Sequence, residues 1–455
     1  MVNRNEYCKS VYNLHLKSMI LVCLCFFTFG HQIQAQKVTG LASDLVTGLK
    51  DLNLPIRSFD YMEEFKRIPS MDILNRKKLM LSRIQSGLDV IDYNALSLNE
   101  RILYAQLQYE LNQHEKHVWL EIEYKKKQYE KTNGIGLAGL VNGKEWYQHY
   151  VRRYTNTELS PDELLRYGQH HVAQAKTEIV RIQKNLGYES KEVQFYQYLA
   201  SDRFFYSDSN QIITKYRDLE NIVRSNLKNV LKDTLTVQLG IAGWIGATNS
   251  MPPAVYQPGS RNFAVNMANI HYNIRAMDWL FLHEGIPGHH YQMSKIKDRY
   301  NPFQDTYYYL GNLEGWSCYV ESLGKDLGLY ASQETELARW EWDLIRSVRI
   351  VMDVGIHAKG WTKNQALDFW AKNVVRQDDI AEREVNRVTN WPGQCLSYKV
   401  GSMVIEKMKH KLSKDPNFDI KRFHFTYLSL SSVPLNVVEK YMEELYYSDE
   451  ISKSF

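Results

Sequence analysis

The sequence predicts a mainly α-helical protein with one small β-sheet, an α+β fold. Apolar residues recur at helical spacing over most of residues 60–232, and this spacing resumes near Ile274 and continues, with breaks, to the end of the chain. Between these regions, residues 234–267 contain Gly, Pro, Thr and Val without a helical period. Apolar and other residues alternate over residues 262–267, which predicts a strand with one buried face.

Capping signals mark where several helices begin. Ser97-x-x-Glu100 has the spacing of a capping box and precedes a long amphipathic pattern. Ser160 followed by Pro161 combines an N-cap residue with a proline at the first helical position. Pro434, after two serines, predicts the start of the last helix.

Composition excludes several classes of protein. The chain has 455 residues, of which 44% are hydrophobic and 13% aromatic, too many for a disordered chain. Its 56 basic and 52 acidic residues leave a formal net charge of only +4, so nucleic acid is not expected as a partner. The oligomeric state cannot be inferred from these figures.

The N-terminal residues 1–35 are predicted to be a secretory signal. A basic start precedes the apolar run 18–30, which is too short for a membrane-spanning helix of about 20 residues. Ala35 offers a small residue at a plausible cleavage point. We therefore expect export to the periplasm or the extracellular space, with no stable membrane insertion after cleavage; a membrane anchor is the alternative.

The expected organisation has three parts. These are the signal 1–35, a helical region 36–232 that opens with an aperiodic leader over 36–60, and a catalytic region 233–455 with the small sheet. Signal cleavage leaves two cysteines, Cys318 and Cys395. In an oxidising compartment they could form one disulfide if they lie close together, or remain two buried thiols.

The segment with the clearest chemistry contains His283, Glu284, His289 and His290 within eight residues. Imidazole nitrogens and a carboxylate are the ligands of a catalytic zinc ion, which keeps one position open for water. In the usual H-E-x-x-H arrangement, two histidines four residues apart project from one helix face and the Glu acts as the base. The alternative is a helix end that carries polar residues for structural reasons.

The spacing in this segment departs from that arrangement. The fourth residue after His283 is Pro287, and His289 lies about 240° around a regular helix from His283. Pro287 and Gly288 can break the helix and return His289 to the face of His283. His290 is a rival ligand because it lies about 20° from that face, although it is about 10.5 Å further along the axis.

Two carboxylates further along the chain are candidates for the remaining contacts. Glu314 is assigned as the third metal ligand, and Glu321, seven residues later on the same helix face, as a residue that orients a metal-bound histidine. Either could instead belong to a structural ion pair.

A further group lies on one predicted helix face. Arg349, Asp353 and His357 are spaced four residues apart and form either a layer beneath the site or a structural ion ladder. Tyr398 lies in the first turn of a predicted helix after a Pro-Gly turn and is the first candidate to donate a hydrogen bond to an oxyanion, with His357 as the second.

Five motifs together resemble the bacterial domain-of-unknown-function family 885, which is grouped with zinc metallopeptidases of the gluzincin type. They are HEGIPGHHYQ, LEGWSCYVE, RIVMDVGIHAKGW, EVNRVTNWPGQCLSYKVG and SSVPLNVVE, in that order over about residues 254–445. The resemblance implies a zincin-like helical fold enclosing a cleft and one Zn²⁺ ion bound by His283, His289 and Glu314. It also implies that Glu284 is the base and that Tyr398 lies near the metal.

The chain differs from the family pattern in two respects. Cys318 and Cys395 stand where small residues such as Ala are expected, although neither replaces a proposed ligand. The N-terminal half is also shorter than is typical of the family.

The function expected from these residues is a secreted zinc peptidase that hydrolyses small or extended peptides. The strand at residues 263–267 could pair with a peptide substrate. Arg387 or Lys399 could hold a substrate carboxylate, which would make the enzyme a carboxypeptidase or small-peptide hydrolase. The alternatives are an inactive binding protein on a peptidase scaffold and a zinc hydrolase of another amide.

Overall fold

A computed structural model gives the fold. It describes residues 36–54, 58–126, 135–233, 237–249, 251–268, 271–296, 302–303, 306–375, 377–448 and 451. The predicted signal segment 1–35 lies outside the described residues.

Helices dominate the described chain, as the sequence predicts. They are α1 (36–51), α2 (Tyr61–Lys66), α3 (Met71–Asp89), α4 (Leu98–Lys126), α5 (Gly143–Thr155), α6 (Pro161–Asn185), α7 (Glu192–Leu199), α8 (Ser209–Asn226), α9 (Met277–Glu284), α10 (His289–Ile296), α11 (Leu310–Glu321), α12 (Gln333–His357), α13 (Lys363–Asn373), α14 (Asp378–Asn390), α15 (Leu396–Leu412), α16 (Ile420–Leu428) and α17 (Leu435–Tyr446). Short 3₁₀ turns lie at Tyr93–Ala95, Asp202–Phe204, Leu227–Asn229 and Ile274–Ala276. Within the described residues, no helix has both the length and the apolar character that a membrane span requires.

The strands form two small sheets in the described chain, where the sequence predicts one. They are β1 (Phe205–Tyr206), β2 (Gly240–Gly243), β3 (Ala254–Gln257), β4 (Asn262–Val265) and β5 (Tyr272–Asn273). β1 pairs with β5, and these two-residue strands are too short to show alternation in the sequence. The second sheet has the order β2-β4-β3, with β2 parallel and β3 antiparallel to β4.

The predicted strand is present as β4, but its position rules out the role suggested for it. Because β4 is the central strand, its backbone groups already pair with β2 on one side and β3 on the other. An added peptide strand can pair only at an open edge of a sheet, so β4 cannot bind a substrate in this way. β2 and β3 are the edges of the sheet.

Two compact units make up the described chain. One comprises Met1–Leu54, Ser70–Glu115 and Asn301–Thr306, as far as these ranges are described, and the other Pro55–Pro69, Lys116–Tyr300 and Tyr307–Phe455. All of the candidate site residues belong to the second unit. The division near residue 232, which rests on a change of sequence texture, stays a prediction.

The leader predicted at residues 36–60 is wrong for most of its length, because residues 36–51 form α1. Val38, Ala42 and Leu45 are fully buried in this helix, at the four- and three-residue intervals of one helical face. Leu41 of α1 lies against Gly87 of α3, within the same unit. A buried stripe this short does not give a clear helical period in the sequence, so the pattern does not predict the helix.

The capping signals are confirmed. The Ser97 backbone N–H donates to Glu100, and the Glu100 N–H donates to the Ser97 hydroxyl, at the start of α4. Ser160 forms the same reciprocal box at the start of α6, with Pro161 in the first turn. Such caps satisfy backbone donors that the first helical turn leaves without partners.

The core of the second unit lies where α5, α6 and α12 meet. Trp146 and Tyr150 of α5, Ala175 of α6 and Val348 and Ile350 of α12 are almost completely buried in one cluster. Full burial of a large apolar side chain stabilises the fold by about 1.5–3 kcal/mol. This core supports one face of α12, the helix that reaches towards the candidate site.

A close crossing of α11 and α15 brings two parts of the candidate site together. A Cβ atom added at Gly315 would lie 2.6 Å from the Cα of Gly401, and one at Gly401 would meet the carbonyl oxygen of Gly311. The two backbones therefore touch at a point where no side chain fits. Glu314 lies next to this crossing on α11, and Tyr398 lies one turn before it on α15.

We expect Gly401→Ala to destabilise the protein by about 1–3 kcal/mol or more, because the added methyl group must push the two helices apart. Urea unfolding of the purified variant measures this loss. Gly259→Ala is the matched control, since an added Cβ there meets no atom within 4 Å. An unfolding free energy of Gly401→Ala equal to that of the control would contradict the packing argument.

Candidate metal centre

A turn interrupts the helix between α9 and α10, and this turn places His283 and His289 side by side. α9 ends at Glu284 and α10 begins at His289. Gly288 is needed in the connecting turn because any Cβ there would collide with the carbonyl oxygens of Leu282 and His283. The indole N–H of Trp316 on α11 donates to the Pro287 carbonyl at 2.8 Å, which fixes the turn to the helix that carries Glu314.

Three side chains converge on one point. The Nε2 atoms of His283 and His289 each lie 3.4 Å from Oε2 of Glu314. One ligand atom from each residue lies within 4.8 Å of the others. The two imidazole rings are perpendicular, with centroids 4.9 Å apart. The structure thus brings together the three residues that the sequence proposes as ligands.

The electrostatics of the cluster favour a positive charge at its centre. Burial alone would raise the pKa of Glu314, but the nearby His289 and His283 hold it well below its usual range. Burial alone would lower the pKa of His283, but Cys318, Glu314 and Glu321 raise it well above its usual value. A carboxylate charge beside two imidazole nitrogens forms a donor set suited to a divalent cation.

The spacing of the donor atoms also fits a small tetrahedral ion. Ligands about 2.0–2.1 Å from a tetrahedral centre lie about 3.3–3.4 Å from one another. Both Nε2-to-Oε2 distances have this value. In addition, Oε2 of Glu314 is buried without a hydrogen-bond partner, an expensive state for a carboxylate oxygen unless a cation satisfies it.

A second layer of contacts orients His283. Its Nδ1 atom lies 2.8 Å from Oε1 of Glu321, an acceptor that holds a proton on Nδ1 and makes Nε2 the metal-binding nitrogen of the neutral ring. Arg346 of α12 donates to both oxygens of Glu321, at 2.7 and 2.8 Å. Arg346 is not among the site residues predicted from the sequence, although it extends the Arg349–Asp353–His357 stripe by one turn.

Glu284 lies between the cluster and the small sheet. Its Oε2 atom accepts a hydrogen bond of 2.8 Å from the backbone N–H of Tyr256, in the edge strand β3. This N–H points away from β4, so the open edge of β3 faces the Glu284 carboxylate.

The structure does not bring His290 to the cluster. Its Nδ1 atom accepts from the Tyr256 hydroxyl at 3.2 Å, and its Nε2 faces the Val237 carbonyl at 3.4 Å. Burial lowers the pKa of His290 to about 4, so it stays neutral near pH 7. His290 therefore supports the edge strand that faces Glu284.

Tyr398 lies over the cluster. Its ring is nearly parallel to that of His283, with centroids 6.2 Å apart. Burial, together with the Glu314 charge, raises the pKa of the phenol. Tyr398 therefore keeps its proton at neutral pH and can donate a hydrogen bond.

The stripe on α12 connects the helices around the site. Arg349 pairs with Glu384 of α14 at 2.7 Å. Asp353 accepts hydrogen bonds from the Tyr147 hydroxyl at 2.6 Å and from the Gly393 N–H at 2.9 Å. These contacts go to neighbouring elements and form no ladder along α12.

His357, at the end of this stripe, uses both ring nitrogens inside the protein. Nδ1 accepts from the Leu137 N–H at 3.2 Å, so the other nitrogen carries the proton and donates to the Val388 carbonyl at 2.9 Å. Neither nitrogen is left to donate to a substrate, and His357 has no part in the function proposed below.

The two cations considered for substrate binding have different surroundings. The Lys399 ammonium contacts both oxygens of Asp343, at 2.6 and 2.9 Å, so its charge is already neutralised. Arg387 instead donates to the Tyr398 hydroxyl at 3.3 Å and to the Gln394 side-chain oxygen at 2.9 Å, both uncharged groups.

The two cysteines are free thiols in separate environments. Cys395 contacts Asp353 and the Arg349 carbonyl, beneath the Pro-Gly turn. Cys318 lies beside His283 and Glu321 and forms a second possible ligand group with them. A cation there would face Arg346, which already holds both Glu321 oxygens, so the His283–His289–Glu314 group is the better cation site.

The comparison with protein families identifies the chain at the family level. The family described as "Bacterial protein of unknown function (DUF885)" matches residues 104–442. The chain belongs to this family. The match extends well into the N-terminal helical half, beyond the 254–445 region in which the motifs were recognised. A search of curated proteins gave no match.

Two solved structures share the fold of this DUF885 protein. One is a "putative lipoprotein" from Colwellia psychrerythraea, with a TM-score of 0.65 and 22% identity over 82% of this chain and 66% of that chain. The other is a "putative lipoprotein of unknown function" from Shewanella oneidensis, with a TM-score of 0.59 and 21% identity over 81% of this chain and 73% of that chain. This chain thus spans just under two thirds of the Colwellia protein.

Acidification is expected to destabilise the protein through His357. Burial lowers the pKa of His357 to about 4, so between pH 6.5 and 4 the unfolded chain takes up a proton that the folded chain does not. Stability is therefore lost as the pH falls, by about 2 kcal/mol at pH 5 from this residue alone. We expect His357→Gln to lose correspondingly less unfolding free energy than wild type between pH 7 and 5 in urea titrations.

The exposed residue His410 provides the control. His410→Gln should keep the wild-type pH dependence. An equal pH dependence in wild type and His357→Gln would contradict the assignment. An NMR titration of the His357 ring in the wild-type protein tests the same point without the variant.

Proposed function

We propose that this DUF885 protein is a zinc-dependent peptidase with a gluzincin-like site. The observation that carries the proposal is the convergence of His283, His289 and Glu314 at tetrahedral spacing around a buried, unsatisfied carboxylate oxygen. The neighbouring Glu284 carboxylate and Tyr398 phenol supply the proton transfer and the hydrogen bond that peptide hydrolysis requires.

His283, His289 and Glu314 would hold one zinc ion. Zinc in such a site supplies Lewis acidity, which makes water acidic enough to lose a proton near neutral pH. Glu284 takes that proton while the water oxygen forms a bond to the peptide carbonyl carbon. Glu284 then delivers the proton to the departing amine as the C–N bond breaks, which leaves a carboxylic acid and an amine.

Tyr398 is the proposed oxyanion donor. Its phenol is protonated at neutral pH because burial raises its pKa, and its ring is held between His283 and the Arg387 guanidinium. A donor fixed in this way needs no reorganisation as negative charge develops on the carbonyl oxygen.

The edge strand β3 favours an extended peptide as the substrate. No other strand pairs with its outer edge in the described chain, and the Tyr256 N–H on that edge donates to Glu284. A peptide added along this edge would pair through its backbone and pass beside the base. Backbone pairing with the peptide substrate, suggested from the sequence for residues 263–267, is thus proposed for β3 instead.

We expect the purified protein to contain one zinc ion per chain by elemental mass spectrometry and to cleave mixed peptides. His289→Ala should lose most of the zinc, whereas His290→Ala, altered at the adjacent residue, should keep it. Glu284→Gln should keep zinc and lose about 10²–10⁴-fold in kcat, because it lacks the base.

Other outcomes separate the alternatives. A protein that binds no zinc would overturn the proposal in favour of a binding protein on a peptidase scaffold. Zinc binding without cleavage of any peptide would favour hydrolysis of another amide. Zinc retention by His289→Ala together with loss in His290→Ala would exchange the assigned ligands.

We also propose that the protein is exported. The apolar run at residues 18–30 followed by Ala35 has the pattern of a signal peptide. The Colwellia and Shewanella proteins reported above, which have a similar fold, are each described as a "putative lipoprotein". Fractionation of the producing bacterium, with mass spectrometry of the mature N-terminus, tests both export and the cleavage point.

A further inference from the structure

Arg387 differs from the other buried cations around the proposed site. Arg346 pairs with Glu321, Arg349 with Glu384, and Lys399 with Asp343. Among the residues whose side chains the structure describes, no carboxylate lies within ion-pair distance of Arg387. The Arg387 guanidinium is thus a half-buried charge without an ion pair, and Glu384, the acid whose charge reaches it, is already paired with Arg349.

The surroundings of Arg387 hold its guanidinium in place and leave donors unused. Nη2 donates to Gln394 and Tyr398. The group also lies 5.5 Å from the ring centre of Trp391 and 5.8 Å from that of Tyr398, within range of cation–π attraction. Nε is buried without a partner, and both hydrogen bonds of the guanidinium to described residues come from Nη2.

The position of Arg387 connects it directly to the reaction. Its Nη2 atom is hydrogen-bonded to the hydroxyl of Tyr398, and the ring of Tyr398 stacks on His283. Only one side chain therefore separates the guanidinium from a proposed metal ligand. The guanidinium lies 5.8 Å from the Tyr398 ring centre, which lies 6.2 Å from that of His283. An extended peptide covers about 3.3–3.6 Å per residue, so a carboxylate bound by Arg387 would lie within about three residues of the metal ligands, a span that includes the last two peptide bonds.

We propose that Arg387 binds the free α-carboxylate of the substrate, so that the protein removes one or two residues from the C-terminus of peptides. This inference rests on the proposed peptidase function and identifies its substrate class. A carboxylate supplies the ion pair that Arg387 lacks and accepts hydrogen bonds from the guanidinium. Lys399 cannot serve in this way because Asp343 already neutralises it.

The test compares a short peptide that has a free C-terminus with the same peptide as its C-terminal amide. We expect the wild-type protein to favour the free acid by about 10- to 100-fold in kcat/KM, the range of a charge-assisted hydrogen bond. Mass spectrometry should place the cut at the last or the second-last bond. In Arg387→Gln the acid-to-amide ratio should fall to near one, and Arg387→Lys should retain part of it.

Arg383→Gln is the matched control. Arg383 lies one turn earlier on α14, is exposed, and forms an ion pair with Glu384 alone among the described residues. It should keep the wild-type acid-to-amide ratio. Circular dichroism of each variant establishes that it is folded before the ratios are compared.

A second measurement separates failure of this inference from failure of the peptidase function. Calorimetric titration of Glu284→Gln, as purified, with the acid and the amide peptides should give tighter binding of the acid, by about tenfold or more. Adding Arg387→Gln to that protein should abolish the difference.

Two results would overturn the inference. Efficient cleavage of both peptides by the wild type, without preference for the acid, would reject the carboxylate site and leave the peptidase function standing. If neither peptide is cleaved, the proposed function fails, and the titration alone decides: equal binding of acid and amide rejects the role of Arg387, whereas an acid preference that requires Arg387 supports it.

Discussion

The turn between α9 and α10 is the constraint on which the candidate site depends. A continuous helix would point His283 and His289 in different directions, about 240° apart. The turn ends this helix at Glu284 and starts a new one at His289. Gly288 allows the close approach of backbone that this requires, and the Trp316 indole ties the turn to α11. Glu314 lies two residues from Trp316, so the same contact that fixes the turn also sets the third donor against both histidines.

Charge compensation organises the protein around this turn. A buried charge is expensive unless an opposite charge and hydrogen bonds satisfy it. The pairs Arg346–Glu321 and Lys399–Asp343 meet this condition, and the first of them also fixes the ring of His283. Two groups meet it only in part within the described residues: Oε2 of Glu314 makes no hydrogen bond, and the Arg387 guanidinium has no ion pair. One suits a cation and the other an anion, and the Tyr398 ring lies between them.

Local patterns predicted much of the fold. Capping boxes at Ser97 and Ser160 and the alternation in β4 are confirmed because they depend on neighbouring residues alone. α1 was missed because its buried stripe is short. The number of sheets was also missed, since two-residue strands leave no periodicity. Arg346 could have been found by extending the α12 stripe one turn, but its partner Glu321 lies on another helix.

The helical class, the family and the residue types available for a metal site follow from the sequence alone, because motifs and periodicity are properties of adjacent residues. Which of those residues meet depends on the three-dimensional packing of the helices. The packing places His289 beside Glu314 and turns His290 towards the sheet. It also encloses His357 between backbone groups and pairs Lys399 with Asp343, while Arg387 has no ion pair among the described residues. These outcomes depend on helix crossings such as that of Gly315 with Gly401, where residues 86 positions apart touch through their backbones.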